Sequence, residues 1–234
     1  MKVLAIVAHP DDAECYCAGT LLKCVSRGDE VTICHVCNGC LGHVEIPPEK
    51  LIEIRKEEAQ TAGKLAGVKV LSANVNDLEL FEGDKKIREK LVGIIRSVNP
   101  DFIITHYPND YMPDHIAVSK LAFDASYAAS IPQYKQSENK PIKNIPLYYM
   151  EPDSGLNFNP TIYVDITDVF DKKIQMLSCH KSQVEWIEEH DGLDFSDSIK
   201  TTAKNRGNQC GVEFAEGFIE CNVALKVKAK RLLP

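Results

Sequence analysis

Two short polar segments in the first half of the chain carry side chains that could bind a metal ion. Residues 9–12, His-Pro-Asp-Asp, follow an apolar run at 2–8, and residues 106–115 contain two histidines and two aspartates. Two imidazoles and one carboxylate can hold zinc while leaving a fourth position open for water. A further carboxylate could then act as a general base. If the two segments meet, the sequence predicts a catalytic metal centre.

The same residues also fit a plainer interpretation. Short acidic turns are common between a strand and a helix, and Asp11 or Asp12 could be the N-cap of the following helix. Periodicity cannot show that two distant loops meet in space. The residues alone leave both interpretations open.

The elements that would position these segments alternate along the chain. Buried strands are predicted at residues 2–8, 29–37, 68–75 and 101–106, and amphipathic helices at 13–27, 48–67 and 85–98. Strands and helices that alternate through short connections require a parallel sheet with right-handed crossovers. We therefore predict a Rossmann-like, doubly wound, mainly parallel α/β sheet with helices on both faces. Such sheets bind ligands beyond the carboxyl ends of their strands, where both polar segments fall.

The second half of the chain extends this core. A helix at 115–130 is followed by a surface connection at 131–146, strands at 147–150 and 161–166, and a helix at 169–187. We predict one domain over residues 1–234, with the Rossmann-like core at 1–130 and a C-terminal extension of the same domain at 147–234.

Charge and hydropathy exclude several classes of partner. The formal net charge of −7 disfavours binding to nucleic acid through a broad positive surface. No run of about 18 apolar residues could span a membrane, and the N-terminal apolar run is too short for a signal peptide. We therefore expect a cytoplasmic protein without membrane partners, whose nine cysteines are reduced thiols.

Three of the cysteines have the spacing of iron–sulfur ligands. Cys34, Cys37 and Cys40 form a C-x₂-C-x₂-C run, but the fourth cysteine followed by proline that completes the bacterial pattern is missing. Buried free cysteine is common as a small apolar side chain, and we expect Cys40 to be the most exposed of the three. A thiol or iron–sulfur redox protein remains the least favoured alternative.

Four sequence blocks carry a resemblance to a known family. HPDDAE after the first strand, MPDHIAV, YVDITDVFDKKIQMLSCHKSQ and FAEGF occur in the order found in the LmbE-like/PIG-L family of zinc-dependent N-acetylglucosaminyl deacetylases. The helix at 48–67 also resembles the family's R-x-x-E helix, through Arg55 and Glu58. The chain is similar to this family over most of its length.

The resemblance implies an activity and a set of roles. It implies removal of an N-acetyl group from an amino-sugar conjugate, a GlcNAc-type small molecule, by water that one zinc ion per chain activates. A homo-oligomer is also expected, because some members of the family assemble. The implied metal ligands are His9, Asp12 and His115, Asp11 is the implied general base, and Arg55 and Asp77 are implied to bind sugar hydroxyls.

One residue departs from the family's pattern. Many members have H-P-D-H where this chain has M-P-D-H, so Met112 replaces an imidazole thought to assist the oxyanion or the leaving group. We expect Met112 and Tyr111 to contact substrate, and His180 or His106 to act catalytically as substitute donors, with Tyr111 a further candidate donor. The alternative is a metal-binding member of the family with impaired or altered catalysis.

Overall fold

A seven-stranded sheet organises the chain. The computed structural model describes residues 1–134, 139–192, 194–224 and 226. The strands are β1 (Lys2–Val7), β2 (Glu30–Cys37), β3 (Lys69–Val75), β4 (Phe102–His106), β5 (Leu147–Met150), β6 (Ile162–Asp165) and β7 (Ala215–Glu220). They lie in the order β3-β2-β1-β4-β5-β7-β6. Strands β1 to β5 pair in parallel, and β7 is antiparallel to both of its neighbours.

Helices cover both faces of this sheet, which confirms the predicted fold class. They are α1 (Asp12–Tyr16), α2 (Ala18–Ser26), α3 (Pro48–Ala66), α4 (Lys85–Val98), α5 (Pro113–Ala128), α6 (Phe170–Leu177), α7 (Lys181–Asp191) and α8 (Phe195–Cys210). Leu4 and Ile6 of β1 pack with α4 and α5, whereas Val3, Ala5 and Val7 pack with α2 and α6 on the opposite face. Such burial on both faces is why the strand is a continuous apolar run.

Two helices that the sequence predicts as continuous are each broken. The predicted helix at 13–27 is α1 and α2, which meet at Cys17, and the predicted helix at 169–187 is α6 and α7, separated by residues 178–180. In both cases the second helix begins where a distant carboxylate accepts its first N–H groups. Glu216 receives the backbone N–H groups of Gly19 and Thr20, and Glu58 receives that of Ser182. These contacts are tertiary, so local periodicity cannot predict them.

Two elements of the C-terminal region were not predicted. Helix α8 has no predicted counterpart, and β7 enters the sheet between β5 and β6 although it follows both in the chain. The strands predicted at 147–150 and 161–166 match β5 and β6 closely. Of the surface connection predicted at 131–146, residues 135–138 lie outside the described residues. Among the helices that the structure describes, none combines the length and apolarity needed to cross a bilayer.

A buried ion pair joins the C-terminal strand β7 to the N-terminal helices. Besides the two backbone N–H groups of α2, the carboxylate of Glu216 accepts a hydrogen bond from Lys173 Nζ at 2.7 Å. Lys173 also donates to the Cys15 carbonyl at 2.9 Å, and both charged side chains are almost fully buried. Glu216 therefore connects β7, α6 and α2 at one point beneath the sheet.

Replacing Glu216 by alanine should destabilise the fold strongly. The change leaves the Lys173 ammonium buried without its counter-ion, and breaking a buried pair in this way typically costs about 3–5 kcal/mol. We expect a loss of that size in the free energy of unfolding, measured by urea titration. Glu213→Ala, in the exposed turn before β7, is the control and should change stability little. A loss below about 1 kcal/mol for Glu216→Ala would contradict this account.

A buried histidine in β2 should make stability depend on pH. His35 is 3% exposed, its Nε2 has no hydrogen-bond partner in the described part of the chain, and burial lowers its pKa to about 4. In the unfolded chain His35 binds a proton below pH about 6.5, so the unfolded state gains protons there while the native state does not.

Stability should therefore fall as pH decreases from about 6.5 towards 4. The contribution of neutral His35 to the free energy of unfolding is fully present above pH 6.5. Within this window it is lost by up to about 1.4 kcal/mol per pH unit. The stability difference between the wild type and His35→Gln, from urea midpoints at pH 7, 5.5 and 4.5, should shrink as the pH falls. A difference that is independent of pH would show that His35 does not titrate in this way.

Candidate active site

The two polar segments of the sequence meet where β1 and β4 end. These strands are parallel neighbours, so the loop after β1 and the loop after β4 emerge side by side. The first loop carries His9 and leads into α1, which begins with Asp12, and His115 lies in the first turn of α5, which follows the second loop. One ligand atom from each of these three residues lies within 4.8 Å of the others. The structure thus brings together the three side chains that the resemblance implies as metal ligands.

The carboxylate of Asp12 lies at the centre of this group. Its Oδ2 accepts the backbone N–H of His9 at 2.6 Å, which closes the loop, and its Oδ1 lies 3.3 Å from His115 Nε2. The plainer interpretation of this loop, an acidic N-cap, is not supported. Asp11 occupies the N-cap position of α1, but its side chain makes no capping hydrogen bond.

Two further aspartates orient the imidazole rings from outside. Asp110 Oδ2 lies 2.9 Å from His115 Nδ1, so the other ring nitrogen, Nε2, faces Asp12. Asp114 Oδ2 lies 3.1 Å from His9 Nε2, which turns Nδ1 of that ring towards Asp12. Histidines that bind metals commonly have such a carboxylate on the nitrogen that does not bind.

The electrostatics of the group favour a cation. Burial opposes protonation of His9, but Asp114 and Asp12 raise its pKa to about 10. Burial also opposes protonation of His115, yet Asp12 and Asp110 raise its pKa to about 9. The buried Nε2 of His115 has no hydrogen-bond partner among the described residues. Two imidazole nitrogens and a carboxylate in a cation-attracting field fit a divalent metal ion.

Asp11 stands beside this group in a strained backbone conformation. Its φ of 118° lies in the region that side chains other than glycine rarely adopt. Arg55 of α3 holds it there, because Nη2 donates to Asp11 Oδ1 at 3.0 Å and to the carbonyl of Pro10. Burial raises the pKa of Asp11 to about 6, although Arg55 opposes the shift. A carboxylate that titrates near neutral pH is suited to accept a proton from water.

Arg55 and Asp77 also shape the loop that follows β2. Arg55 Nη1 donates to the carbonyl of Gly39, and Asp77 accepts the backbone N–H groups of Gly39 and Leu41 at 2.8 and 2.9 Å. Gly39 has a φ of 78°, and a Cβ there would lie 2.6 Å from Arg55, so only glycine fits. Both predicted sugar-binding residues line the cavity, but each already has protein partners.

A cavity of about 620 Å³ opens above these groups. Met112 and the 67%-exposed Tyr111 line it, as the sequence predicts for substrate contacts. Most of the other lining side chains are apolar, acidic or uncharged polar. They include His9, Asp11, Asp12, Cys15, Tyr16, Leu41, Arg55, Asp77, Leu78, Asp114, Asp153, Gln183, Trp186, Ile187, Asp194, Phe195 and Ser198.

The two histidines predicted as substitute donors do not line this cavity. His106 is 1% exposed, stacks on the ring of His115 at 3.9 Å, and accepts the backbone N–H of Ala8 at Nε2. Burial, and then His115, lower its pKa to about 4, so it stays neutral. His180 is fully buried, with Nε2 3.5 Å from Glu14 Oε2. Neither ring reaches the wall at which a substrate would bind.

Several lining residues were missed by the sequence analysis. Tyr16 was within reach of that analysis, because it follows Asp12 by four residues and such a pair shares one helix face. Trp186 and Phe195 had no comparable signal. They belong to α7 and α8, whose approach to the cavity depends on the folding of the C-terminal region.

The cysteine run does not form a ligand cluster. Cys34 and Cys37 lie in the apolar core, and Cys40 is the most exposed of the three, as expected, but at 5% it is buried as well. Its Sγ accepts the backbone N–H of Asp77 at 3.4 Å, because Asp77 folds the loop over it. In the part of the chain that the structure describes, no group of potential ligands within 4.8 Å contains two of these thiols, and Cys37 alone joins one such group, with His9, Asp77 and Asp114. The iron–sulfur alternative therefore has no structural support.

Metal affinity should depend on both the ligands and the aspartates behind them. His9→Ala, Asp12→Ala and His115→Ala each remove one of three ligands and should nearly abolish zinc binding. Asp110→Ala removes the partner of His115 Nδ1, and the acceptor of the Tyr111 and Met112 N–H groups, but no ligand, and should weaken zinc binding by about 10–100-fold. Competition with a chromophoric chelator measures both effects. The matched control is Asp124→Ala, farther along α5, and wild-type affinity in any of the three ligand variants would remove that residue from the ligand set.

Comparison with known proteins places the chain in a family. The family described as "PIG-L: GlcNAc-PI de-N-acetylase" matches residues 4–126, more than half of the chain. A diacetylchitobiose deacetylase from Thermococcus kodakarensis is 27% identical over 93% of this chain and 82% of that protein. A probable N-acetyl-alpha-D-glucosaminyl L-malate deacetylase 2 from Bacillus cereus is 30% identical over 78% of this chain and 84% of that protein.

A solved structure of an enzyme with a different activity is also similar to this chain in fold. The crystal structure of the 4-carboxy-2-hydroxymuconate hydratase from Pseudomonas putida has a TM-score of 0.84 and 25% identity, covering 99% of this chain and 100% of that one. Membership therefore follows from the family match and the deacetylase relatives together, rather than from the fold alone. This chain belongs to the PIG-L family and is an enzyme of that deacetylase family.

Proposed function

We propose that this enzyme is a zinc-dependent hydrolase that removes the N-acetyl group from an uncharged amino-sugar substrate. The observation that carries the proposal is the convergence of His9, Asp12 and His115 beside Asp11, in a group of which His9, Asp11 and Asp12 line one cavity. The donor set suits zinc, and the additional carboxylate suits proton transfer. The names of the deacetylase relatives support the amino-sugar part of the proposal.

The reaction requires water to attack an amide carbonyl. When bound, zinc would polarise that carbonyl and lower the pKa of water towards about 7. Asp11 would accept the proton of the attacking water at the carboxylate that Arg55 holds in place. The same carboxyl group can then donate this proton to the departing nitrogen. One water and one N-acetyl sugar thus yield acetate and a free amine.

The charge of the cavity wall selects among substrates. Six aspartates line the cavity, Asp11, Asp12, Asp77, Asp114, Asp153 and Asp194, whereas among the described lining residues arginine and lysine contribute only Arg55. Arg55 is already paired with Asp11 at 3.0 Å. A substrate with a carboxylate or a phosphate beyond the amide would therefore meet like charge without a free cation to bind it. A neutral or cationic sugar would not be repelled by these carboxylates.

The same observation separates deacetylation from the activity of the hydratase relative. The name of that substrate, 4-carboxy-2-hydroxymuconate, describes a polycarboxylate. Tyr111, Trp186 and Phe195 offer apolar ring surfaces instead, together with the polar groups of Gln183 and Ser198. Apolar walls with a few placed polar groups are typical of sites for neutral small molecules. The cavity therefore favours the deacetylase proposal over a hydratase.

A panel of N-acetyl sugars tests the proposal. We expect acetate release from neutral substrates, such as N-acetylglucosamine and diacetylchitobiose, with kcat/KM at least tenfold higher than for N-acetylglucosamine 6-phosphate or an N-acetylglucosaminyl malate. Asp11→Asn should retain zinc and lose about 10²–10⁴ in kcat, because an amide cannot accept the proton. Asp168→Asn, an exposed carboxylate outside the cavity, is the matched control.

Three results would contradict the proposal. Absence of acetate release from every sugar would remove the deacetylase activity. A preference for the anionic sugars would overturn the argument from charge. Full activity of Asp11→Asn would remove Asp11 as the base.

A further inference from the structure

Hydrolysis of an amide places negative charge on the carbonyl oxygen. A hydrogen-bond donor that faces this oxygen accelerates the reaction. Met112 occupies the cavity wall three residues before His115, at the start of α5. A thioether is only a weak acceptor and has no proton to donate. If the proposed function is correct, any protein hydrogen bond that adds to the polarisation by zinc comes from another side chain on the cavity wall.

Most donors on this wall already have protein partners. Arg55 donates to Asp11 and to two backbone carbonyls, and Gln183 Nε2 donates to the carbonyl of Gly42 at 3.0 Å. Ser198 is exposed and belongs to α8, on a wall built by the C-terminal region. Tyr111 is 67% exposed on the loop before α5. None of these groups stands against the ligand rings.

Tyr16 differs from the others in its position. It ends α1 four residues after Asp12, on the same side of that single helical turn. Its ring lies edge-on to the rings of His115 and His106, with centroids 6.1 and 6.3 Å away. Among the described residues no hydrogen-bond partner is found for its hydroxyl, and the side chain lines the cavity.

We propose that Tyr16 is a catalytic residue, and that its hydroxyl donates the hydrogen bond that stabilises the developing oxyanion. The same helical turn thus carries a metal ligand, Asp12, and the donor, Tyr16. Because the turn is tied through Cys15 to Lys173 and through α2 to Glu216, its position relative to the cavity is rigid. Catalysis of this kind needs a donor that is already in place before the charge develops. This inference rests on the proposed deacetylase function.

A double-mutant cycle between Tyr16 and Met112 tests the inference. Tyr16→Phe keeps the ring and removes only the hydroxyl, so kcat on a neutral N-acetyl sugar should fall by roughly 10²-fold or more. KM, zinc content and melting temperature should remain near the wild-type values. Met112→His introduces a new donor on the same cavity. It should raise kcat in the Tyr16→Phe background, and the factor by which it changes kcat should be at least tenfold greater there than when Tyr16 is present.

The control is Tyr127→Phe, an exposed tyrosine near the end of α5, which should leave kcat unchanged. A kcat for Tyr16→Phe within threefold of wild type would overturn the inference while leaving the deacetylase activity intact. Equal effects of Met112→His in both backgrounds would also overturn it, because the two donors would then not substitute for each other. Absence of acetate release by the wild type would overturn both this inference and the proposed function.

Discussion

The carboxylate of Asp12 is the point on which the site depends. Three imidazoles surround it, with ring nitrogens of His9, His106 and His115 at 3.6, 3.2 and 3.3 Å from its oxygens. A buried carboxylate is costly unless it is paired and hydrogen-bonded, and the backbone N–H of His9 supplies one such bond. The rings come from two chain segments about 100 residues apart. Their convergence on one carboxylate therefore requires β1 and β4 to be neighbours in the sheet.

Around this centre, a buried arginine and a half-buried glutamate join the secondary-structure elements. Arg55 connects α3 to the strained Asp11 and to the loop after β2, and Glu58, one turn later on α3, accepts hydrogen bonds from the backbone and side chain of Ser182 at the start of α7. One helix thus positions both the proposed base and the helix that carries Trp186. The strain at Asp11 persists because Arg55 and the loop together hold that residue in place.

The group of candidate metal ligands, His9, Asp12 and His115, does not by itself decide which reaction the enzyme performs. Deacetylases and a hydratase with closely similar folds are both related to this chain, so the residues above the metal group must decide. Here those residues are acidic or aromatic, and Arg55, the one arginine among the described lining residues, is already engaged by Asp11. Much of this wall comes from α7 and α8. Under the proposed function, the substrate would therefore contact α7 and α8 as well as the loops that carry the candidate ligands.

The sequence by itself was sufficient to predict the parallel α/β core, because each strand is an apolar run buried on both faces and each helix has its own amphipathic period. It also pointed to the two polar segments that contain His9, Asp11, Asp12 and His115, since strand ends in such sheets are where ligands bind, whereas the roles proposed for these residues came from the family resemblance. The tertiary structure decided what depends on contacts between distant segments. Two predicted helices are interrupted where Glu216 and Glu58 accept hydrogen bonds from the first turns of α2 and α7. Strand β7 lies between two strands that precede it in the chain. The tertiary structure also buried His106 and His180 while leaving Tyr16 on the cavity wall. Periodicity reports which face of an element is apolar, but burial and hydrogen bonding of a polar side chain depend on which other elements pack against it.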